Sequence, residues 1–518
     1  LKPGIPFGDA DAARVNAFQR SDFVEFDRRR FRNTLALAAG DRDVRVIVGA
    51  KGAGKTIYLR RLEQALSGNR GVYVDRWQNR PPATAQVLEV WSTSKSAHDC
   101  RRRWALIWRR AIMRSLATHL VTARRLGTPD AIKETLRYDF AEVLPSFETR
   151  SSVIAEVGTI ISEHRGVTQL DSFLHSPRWA TLEQIVADAL DDLRPVYFIL
   201  DGIDEEFELA PSQWLDCQIG LFREVMSLSV NAMFRSRLHV IVGVRDLVYS
   251  TALQSENKMR LLNTPTIRNL QWDRDAISHF LAKKASALDD EWLMSRGSTD
   301  PVQRWLGMGT IRNVKRGTVE QAESYLLRHT RGLPRDVVQL GNTLCECIDR
   351  AVCGGDHALN DELVRRAVAG VSRDFGLEQL RIATNHITAA LMPREAPRHG
   401  FAEVYVADDA THGYQSAIFD LLRKGLSSLE EDRVEASRLR RFAEELNPIG
   451  EVDLLSILWQ HRLIGYVAGD DRLHDPVVFY GMNGEDLTLP PDRSAYALHP
   501  SLIDAVGGLR GVGAPVEI

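Results

Sequence analysis

A chain of 518 residues is too long for one hydrophobic core and predicts about three domains. With 44% hydrophobic and 26% charged residues it has the balance of a globular protein, and no apolar run reaches the roughly 18 to 20 residues of a membrane span. The formal charge of −3 excludes a global electrostatic footprint for nucleic acid, so any contact with a polyanion must be local.

The opening stretch, LKPGIPFGDADAARVNAF, lacks the apolar core of a signal peptide, which predicts a cytoplasmic chain without a membrane partner. The basic run Asp27-Arg28-Arg29-Arg30-Phe31-Arg32 precedes the first strand and is expected to be a solvated helix face. Val44–Gly49 (VRVIVG) then reads as a buried strand and Thr56–Leu66 (TIYLRRLEQAL) as a helix with an apolar stripe. Between them Gly49-Ala50-Lys51-Gly52-Ala53-Gly54-Lys55-Thr56 fits G-x-x-x-x-G-K-[ST], followed by Ile57. The glycines let the backbone curl until successive N–H groups converge on an anion, and the opening helix adds its positive end at the same point. Lys55 is expected to reach the β- and γ-phosphates of a nucleotide triphosphate, and the Thr56 hydroxyl to ligate Mg²⁺.

Residues from about Asn79 to Leu190 are expected to form a helical insertion. It includes Cys100–Leu120, in which Trp104, Ile107, Trp108 and Ile112 recur at helical spacing and are expected to be core. Arg101–Arg103 open that helix and are expected to be solvated, like the first basic run. Val196–Glu208 (VYFILDGIDEEFE) supplies an apolar strand ending at Asp201, the choice for the Mg²⁺-side carboxylate. Asp204 or Glu205, a few residues onward, is expected to polarise an attacking water. Arg237–Asp246 (RLHVIVGVRD) is a further buried strand, and Arg245 at its carboxyl end is placed to sense the γ-phosphate.

Of the five cysteines, Cys100 and Cys217 stand apart. Cys345, Cys347 and Cys353 form C-x-C-x5-C inside an expected helix. No C-x-x-C pair or neighbouring histidine completes a zinc site, so free thiols are expected. Leu391–Val404 (LMPREAPRHGFAEV) reads as a connection. After it Arg433–Val467 predicts helix, turn, helix and a strand from Leu463. Pro476–Met482 is expected to pair back as a second strand, and Tyr496–Val506 to close with a short strand and a helix. The second of those helices, 452–461, holds no Lys or Arg, and the hairpin tip mixes Arg472 and His474 with Asp470, Asp471 and Asp475. A major-groove reader would carry more cations, so protein contact is preferred to DNA.

Together GAKGAGKT, VYFILDGIDEE and VIVGVRD resemble the AAA+/STAND superclass of P-loop ATPases. Thr266–Leu281 (TIRNLQWDRDAISHFL) resembles the strand-to-lid-helix junction of such proteins, and Tyr325–Asn342 (YLLRHTRGLPRDVVQLGN) is similar to their G-x-P or sensor-2 segment. The combination is most similar to bacterial signalling and antiphage-defence ATPases, over roughly residues 23 to 375. The resemblance implies that Arg245 is sensor 1 and that Pro334 and Arg335 lie near the nucleotide. Arg335 would be the sensor-2 cation, with Arg331 as its competitor. The chain between Thr56 and Asp201 is longer than such a core needs. No arginine finger is identifiable, although Arg260 and Arg268 are in a suitable stretch. Two helices followed by a hairpin look like a winged helix, resembling a module that in this superclass binds DNA or packs on the nucleotide domain as a latch.

The fold class expected is therefore α/β, a P-loop core with a parallel sheet flanked by helices, a helical lid and a C-terminal winged helix. The expected domains are 1–270 (core with the insertion at about 79–190), 271–375 (lid) and 376–518 (helical linker and winged helix). The implied activity is that of an ATPase using ATP/ADP and Mg²⁺, a switch whose nucleotide state controls self-association or engagement of a separate effector protein. An initiator- or loader-type ATPase that puts its winged helix on DNA is the alternative. A small-molecule kinase is a third reading, for which the sequence carries no acceptor-pocket signature.

Overall fold

Val46–Val48 (β1), Val196–Leu200 (β3) and Leu238–Val244 (β4) are runs of mainly β-branched and aromatic residues, buried along their whole length. That is the pattern of strands covered on both faces of a parallel sheet. With Tyr73–Val74 (β2) and Ile267–Asn269 (β5) they form a five-stranded sheet of order β2-β3-β4-β1-β5, parallel throughout. The register sets Val46 beside both Val242 and Ile267, and Val196 beside Leu238. The computed structural model describes residues 5–10, 43–69, 71–75, 81–144, 147, 152–205, 211–234, 237–253, 264–314, 318–353, 359–391, 409–429, 432–446, 453–468, 477–480, 487–491 and 493–507.

Alternation along each strand divides the core into two layers. Val46, Val48, Phe198, Leu200, Val240 and Val242 face one hydrophobic cluster, while Ile47, Tyr197, Ile199 and Ile241 face another. The second cluster is filled by helix Lys55–Ser67 (α1), through Tyr58, Leu59 and Leu62, and by the helices that follow β5. The first is filled by the insertion, which lies between β2 and β3 and holds six α-helices among the described residues. These are Thr84–Ser92 (α2), Ala97–Thr122 (α3), Asp130–Tyr138 (α4), Val153–Glu163 (α5), Val167–Leu174 (α6) and Arg178–Asp191 (α7). Ser96 caps α3 by accepting from the Asp99 N–H, and Trp104, Ile107, Trp108 and Ile112 are fully buried, as their spacing predicts. Helix Pro211–Val230 (α8) packs along α3.

After β5 come helices Arg274–Ser286 and Pro301–Leu306, then a hairpin of Thr310–Asn313 (β6) with Thr318–Gln321 (β7). Helices Ala322–Arg328 and Pro334–Cys353 follow. Cys345 is buried and Cys347 partly so, both as free thiols. Burial pushes the Cys345 thiol up to about 12. The long helix Asp361–Leu391 runs unbroken past residue 375. Its first half contributes Val364 and Val368 to the sheet-side core, and its second half contributes Leu380, Ala383 and Ile387 to a separate C-terminal core.

That C-terminal core is built on a four-stranded antiparallel sheet, Arg433–Glu435 (β8), Ile464–Ala468 (β9), Val477–Tyr480 (β10) and Ala495–Leu498 (β11), in the order β10-β9-β11-β8. The hairpin β9–β10 and the closing strand and helix (Pro500–Val506) fall where the sequence places them. Arg433–Glu435, expected as the start of a helix, is instead a strand paired with β11, and the helix Ala436–Glu445 begins after it. Val434, between two charged residues, is a strand-like alternation too short to register as one. Among the described residues no helix is long and apolar enough to cross a membrane. The basic run 27–32, Arg260, residues 392–404 and the hairpin tip 470–475 lie outside the described residues.

Candidate functional site

β1 ends at Val48, and the chain turns through Gly49–Gly54 into α1. The turn needs left-handed backbone at Gly52 (φ 93°) and Gly54 (φ 94°), which a residue with a Cβ adopts only with strain. Gly54 is the N-cap residue, with no side chain to cap the helix and no acidic residue in the first turn. The loop is tied down by Gly49 N–H to the Val244 carbonyl (3.2 Å) and Ala53 N–H to the Ala50 carbonyl (3.1 Å). Lys55 is buried, and its Nζ donates to the carbonyls of Gly49 (3.0 Å) and Ala50 (3.2 Å). An ammonium, a helix N-terminus and a curled backbone thus meet at one point, the physical requirements for holding an anion.

Asp201 follows β3 on the far side of β4, and its carboxylate reaches back to the loop. Thr56 Oγ1 donates to Asp201 Oδ2 at 2.6 Å across 145 residues of chain. Gly243 in β4 makes that reach possible. A Cβ there would lie 2.7 Å from Asp201 Oδ1 and 3.3 Å from Leu59 Cδ1. Burial pushes the Asp201 carboxyl up from its ordinary value, against the Thr56 hydrogen bond and the nearby Lys55. Among the described residues no group of three or more His, Cys, Asp or Glu is arranged to hold a metal ion. Mg²⁺ bound with a polyphosphate requires only one or two protein ligands beside phosphate and water oxygens. The Thr56 hydroxyl and Asp201 carboxylate fit that demand as adjacent hard oxygen donors.

Asp204 and Arg245 meet directly. Arg245 Nε donates to Asp204 Oδ2 at 2.7 Å, and Nη2 to the Asp204 carbonyl at 3.2 Å. Burial works to raise the Asp204 pKa, but Lys55 and Arg245 together hold it well below the usual carboxylate range. Glu205 is exposed at the turn that begins at Gly202. Arg268 lies on the edge strand β5, opposite Ile47.

Pro334 begins its helix beside the loop. The Arg335 N–H donates to the Gly52 carbonyl at 3.3 Å, and a Cβ on Gly52 would come within 3.0 Å of Arg335 Cβ. The Arg335 guanidinium turns to the Ala10 carbonyl (3.3 Å). Arg331 has another neighbour. It is buried, and its fork donates to both carboxylate oxygens of Asp336 at 2.8 and 2.6 Å. Three contacts escaped the sequence. Trp272 Nε1 donates to the Ala53 carbonyl (2.9 Å), Lys51 pairs with Glu378 (3.3 Å), and Arg462 Nη1 donates to the Arg331 carbonyl (3.2 Å) while facing Asp246 (3.8 Å). Only Gly243 carried a signal, a lone glycine inside an apolar strand, which marks close approach of another group.

The basic residues Arg101 and Arg103 are not at this site. Arg101 pairs with Asp216 (2.6 Å) and Arg103 with Asp171 (3.1 Å). A cavity of about 350 Å³ lies apart from the loop, between the helices after β5, near Arg274, Asp300 and Arg328. Its charged lining is engaged within the protein, Arg328 with Glu320 and Glu323 with Ser278, which makes it a weaker candidate than the loop. No protein family matches this chain, and no curated protein is significantly similar to it.

Proposed function

We propose that this chain is an ATP-binding and ATP-hydrolysing molecular switch of the AAA+/STAND type, with a C-terminal winged helix packed on the nucleotide core as a latch. The observation that carries the reading is the Thr56–Asp201 hydrogen bond. It joins the first hydroxyl of the helix after a glycine loop to a buried carboxylate from another strand, at the place where a phosphate-bound metal would sit. Bound Mg²⁺ would neutralise charge on the phosphates. Gly49 to Ile57 would cradle the phosphates, and Lys55 would leave its loop carbonyls for the β- and γ-oxygens. Arg245 would move from Asp204 to the γ-phosphate, leaving Asp204 or Glu205 to polarise the attacking water. Pro334 and Arg335, against Gly52, would feel the same phosphates from the lid side.

The latch is supported by the neighbours of Arg462. One arginine of the C-terminal module touches Asp246, next to Arg245, and the carbonyl of Arg331 on the lid side. A nucleotide that moved Arg245 would disturb that contact, which is how differential binding becomes a shift of population. Self-association or capture of a separate effector protein by the released module is the expected output, in bacterial signalling or antiphage defence. The DNA-binding alternative gains nothing from the helix Leu454–Gln460. Five of its seven residues, Leu454, Ser456, Ile457, Leu458 and Trp459, are buried in the module, and it carries no cation.

Phosphate release from MgATP, measured with no added acceptor, tests the proposal. The purified chain is expected to turn over slowly and Lys55→Ala roughly 30- to 5,000-fold more slowly still, since removing a buried, hydrogen-bonded charge partner costs about 2–5 kcal/mol. Turnover that needs a second substrate would make the chain a kinase instead. Equal turnover by wild type and Lys55→Ala would end the reading.

A further inference from the structure

Glu378 lies on the long helix between the segment buried with the lid (Val364, Val368) and the segment buried in the C-terminal core (Leu380, Ala383, Ile387). Its carboxylate reaches Lys51 in the glycine loop at 3.3 Å, with both side chains about a third exposed. It also acts on buried Arg331, whose hydrogen bonds go to Asp336. The same helix carries the C-terminal module tightly. Gly376, two residues away, lies so close to Ser501 of the closing helix that a Cβ there would collide with its carbonyl. One carboxylate thus ties the loop to the element that joins lid and latch.

We infer that Glu378 competes with the nucleotide's phosphates for Lys51, so that phosphate binding detaches the long helix from the loop. This rests on the proposed nucleotide site and names its regulation. A carboxylate and a phosphate are alternative anionic partners for one ammonium, so holding one of them releases the other. The third phosphate adds charge, so MgATP displaces Glu378 more effectively than MgADP. Glu378 is then a specificity-determining residue, one that the γ-phosphate must displace from Lys51 before that ammonium can hold it. Its partial exposure makes the pair weak enough to be exchanged.

The test is a binding titration of the full chain with MgATP and with MgADP. Glu378→Gln is expected to tighten MgATP by roughly two- to fivefold, the scale of one partly exposed pair, and MgADP by less. In a Lys51→Met background the same substitution is expected to change neither affinity. Hydrogen exchange supplies the second readout. In wild type, MgATP is expected to raise exchange in the helix Pro500–Val506, and Glu378→Gln to show that rise without nucleotide. Unchanged or weaker MgATP binding by Glu378→Gln, beside a wild type that binds, would overturn the inference and leave the nucleotide reading standing. So would a gain that persists in Lys51→Met. Failure of wild type to bind either nucleotide would overturn both.

Discussion

Helix α3 and the carboxyl end of the parallel sheet are both rich in paired charges, and the pairs differ in kind. On α3, Arg109 meets Glu183 and Glu224, Arg110 meets Glu183, and Arg114 meets Glu156 and Glu163, each from a neighbouring helix at 2.6 to 3.1 Å. The Arg110 guanidinium also donates to the Leu174 carbonyl and stacks on Trp179. These pairs are closed, since every partner but the half-exposed Glu163 is buried in the same layer. At the sheet end, Lys55 holds two loop carbonyls, Arg245 holds Asp204, and Lys51 holds Glu378. Those partners surround a curled loop and a helix N-terminus, where an added polyanion would compete for all three cations. The lesson is that an ion pair signals function when its geometry admits a rival partner.

Substitutions can break that contrast. The largest effect is expected at the sheet end. Asp204→Asn or Glu205→Gln should lower phosphate release by about 10²–10⁴-fold while sparing MgATP binding, measured by steady-state turnover and a separate titration. If both variants keep wild-type turnover, neither is the water-polarising group. On α3 the expectation reverses. Glu183→Ala leaves Arg109 and Arg110 short of a partner in a buried layer and should cost about 3–5 kcal/mol of stability in chemical denaturation, with MgATP affinity of the folded protein unchanged. A loss of affinity there would erase the distinction between the two regions.

A third, smaller effect concerns neutral pairing at the C-terminal module. His461 is buried and His386 partly so, with ring nitrogens 3.2 Å apart, and desolvation holds the His386 pKa down to about 4. The unfolded chain takes up protons near pH 6.5, whereas folded His386 resists them down to about 4. Stability is thus full above about pH 6.5 and falls with acid through that window, by up to ~1.4 kcal/mol per pH unit for this group. Thermal melts from pH 7 to 4.5 should show the decline, and His386→Asn should make it shallower, the remainder coming from His461 and His499, which burial also holds below the ordinary value. A wild-type melt independent of pH would mean the pair is solvated.

The sheet was legible where strands were long. β3 and β4 are apolar runs of five and seven residues that no solvent-facing element would carry. The two-residue β2 and the hairpin β6–β7 passed unnoticed, because an element that short has no periodicity of its own and is held by its neighbours. The loop residues were legible because their spacing is dictated by local backbone geometry. Trp272 and Glu378 were not, since each matters through a contact with a residue 219 or 327 positions away, and Gly243 signals a close approach without naming Asp201 as its partner. The Asp204–Arg245 pair shows the intermediate case. Both residues stood out as strand-end charges, but only the fold shows that they hold each other.

The central claim is that the bend from Gly49 to Thr56 binds a nucleotide polyphosphate with a divalent metal at Asp201. Titration calorimetry of the folded full chain with MgATP and MgADP tests it most directly. Saturable heat that weakens when Mg²⁺ is chelated is the predicted result, and no heat from either nucleotide would contradict the account.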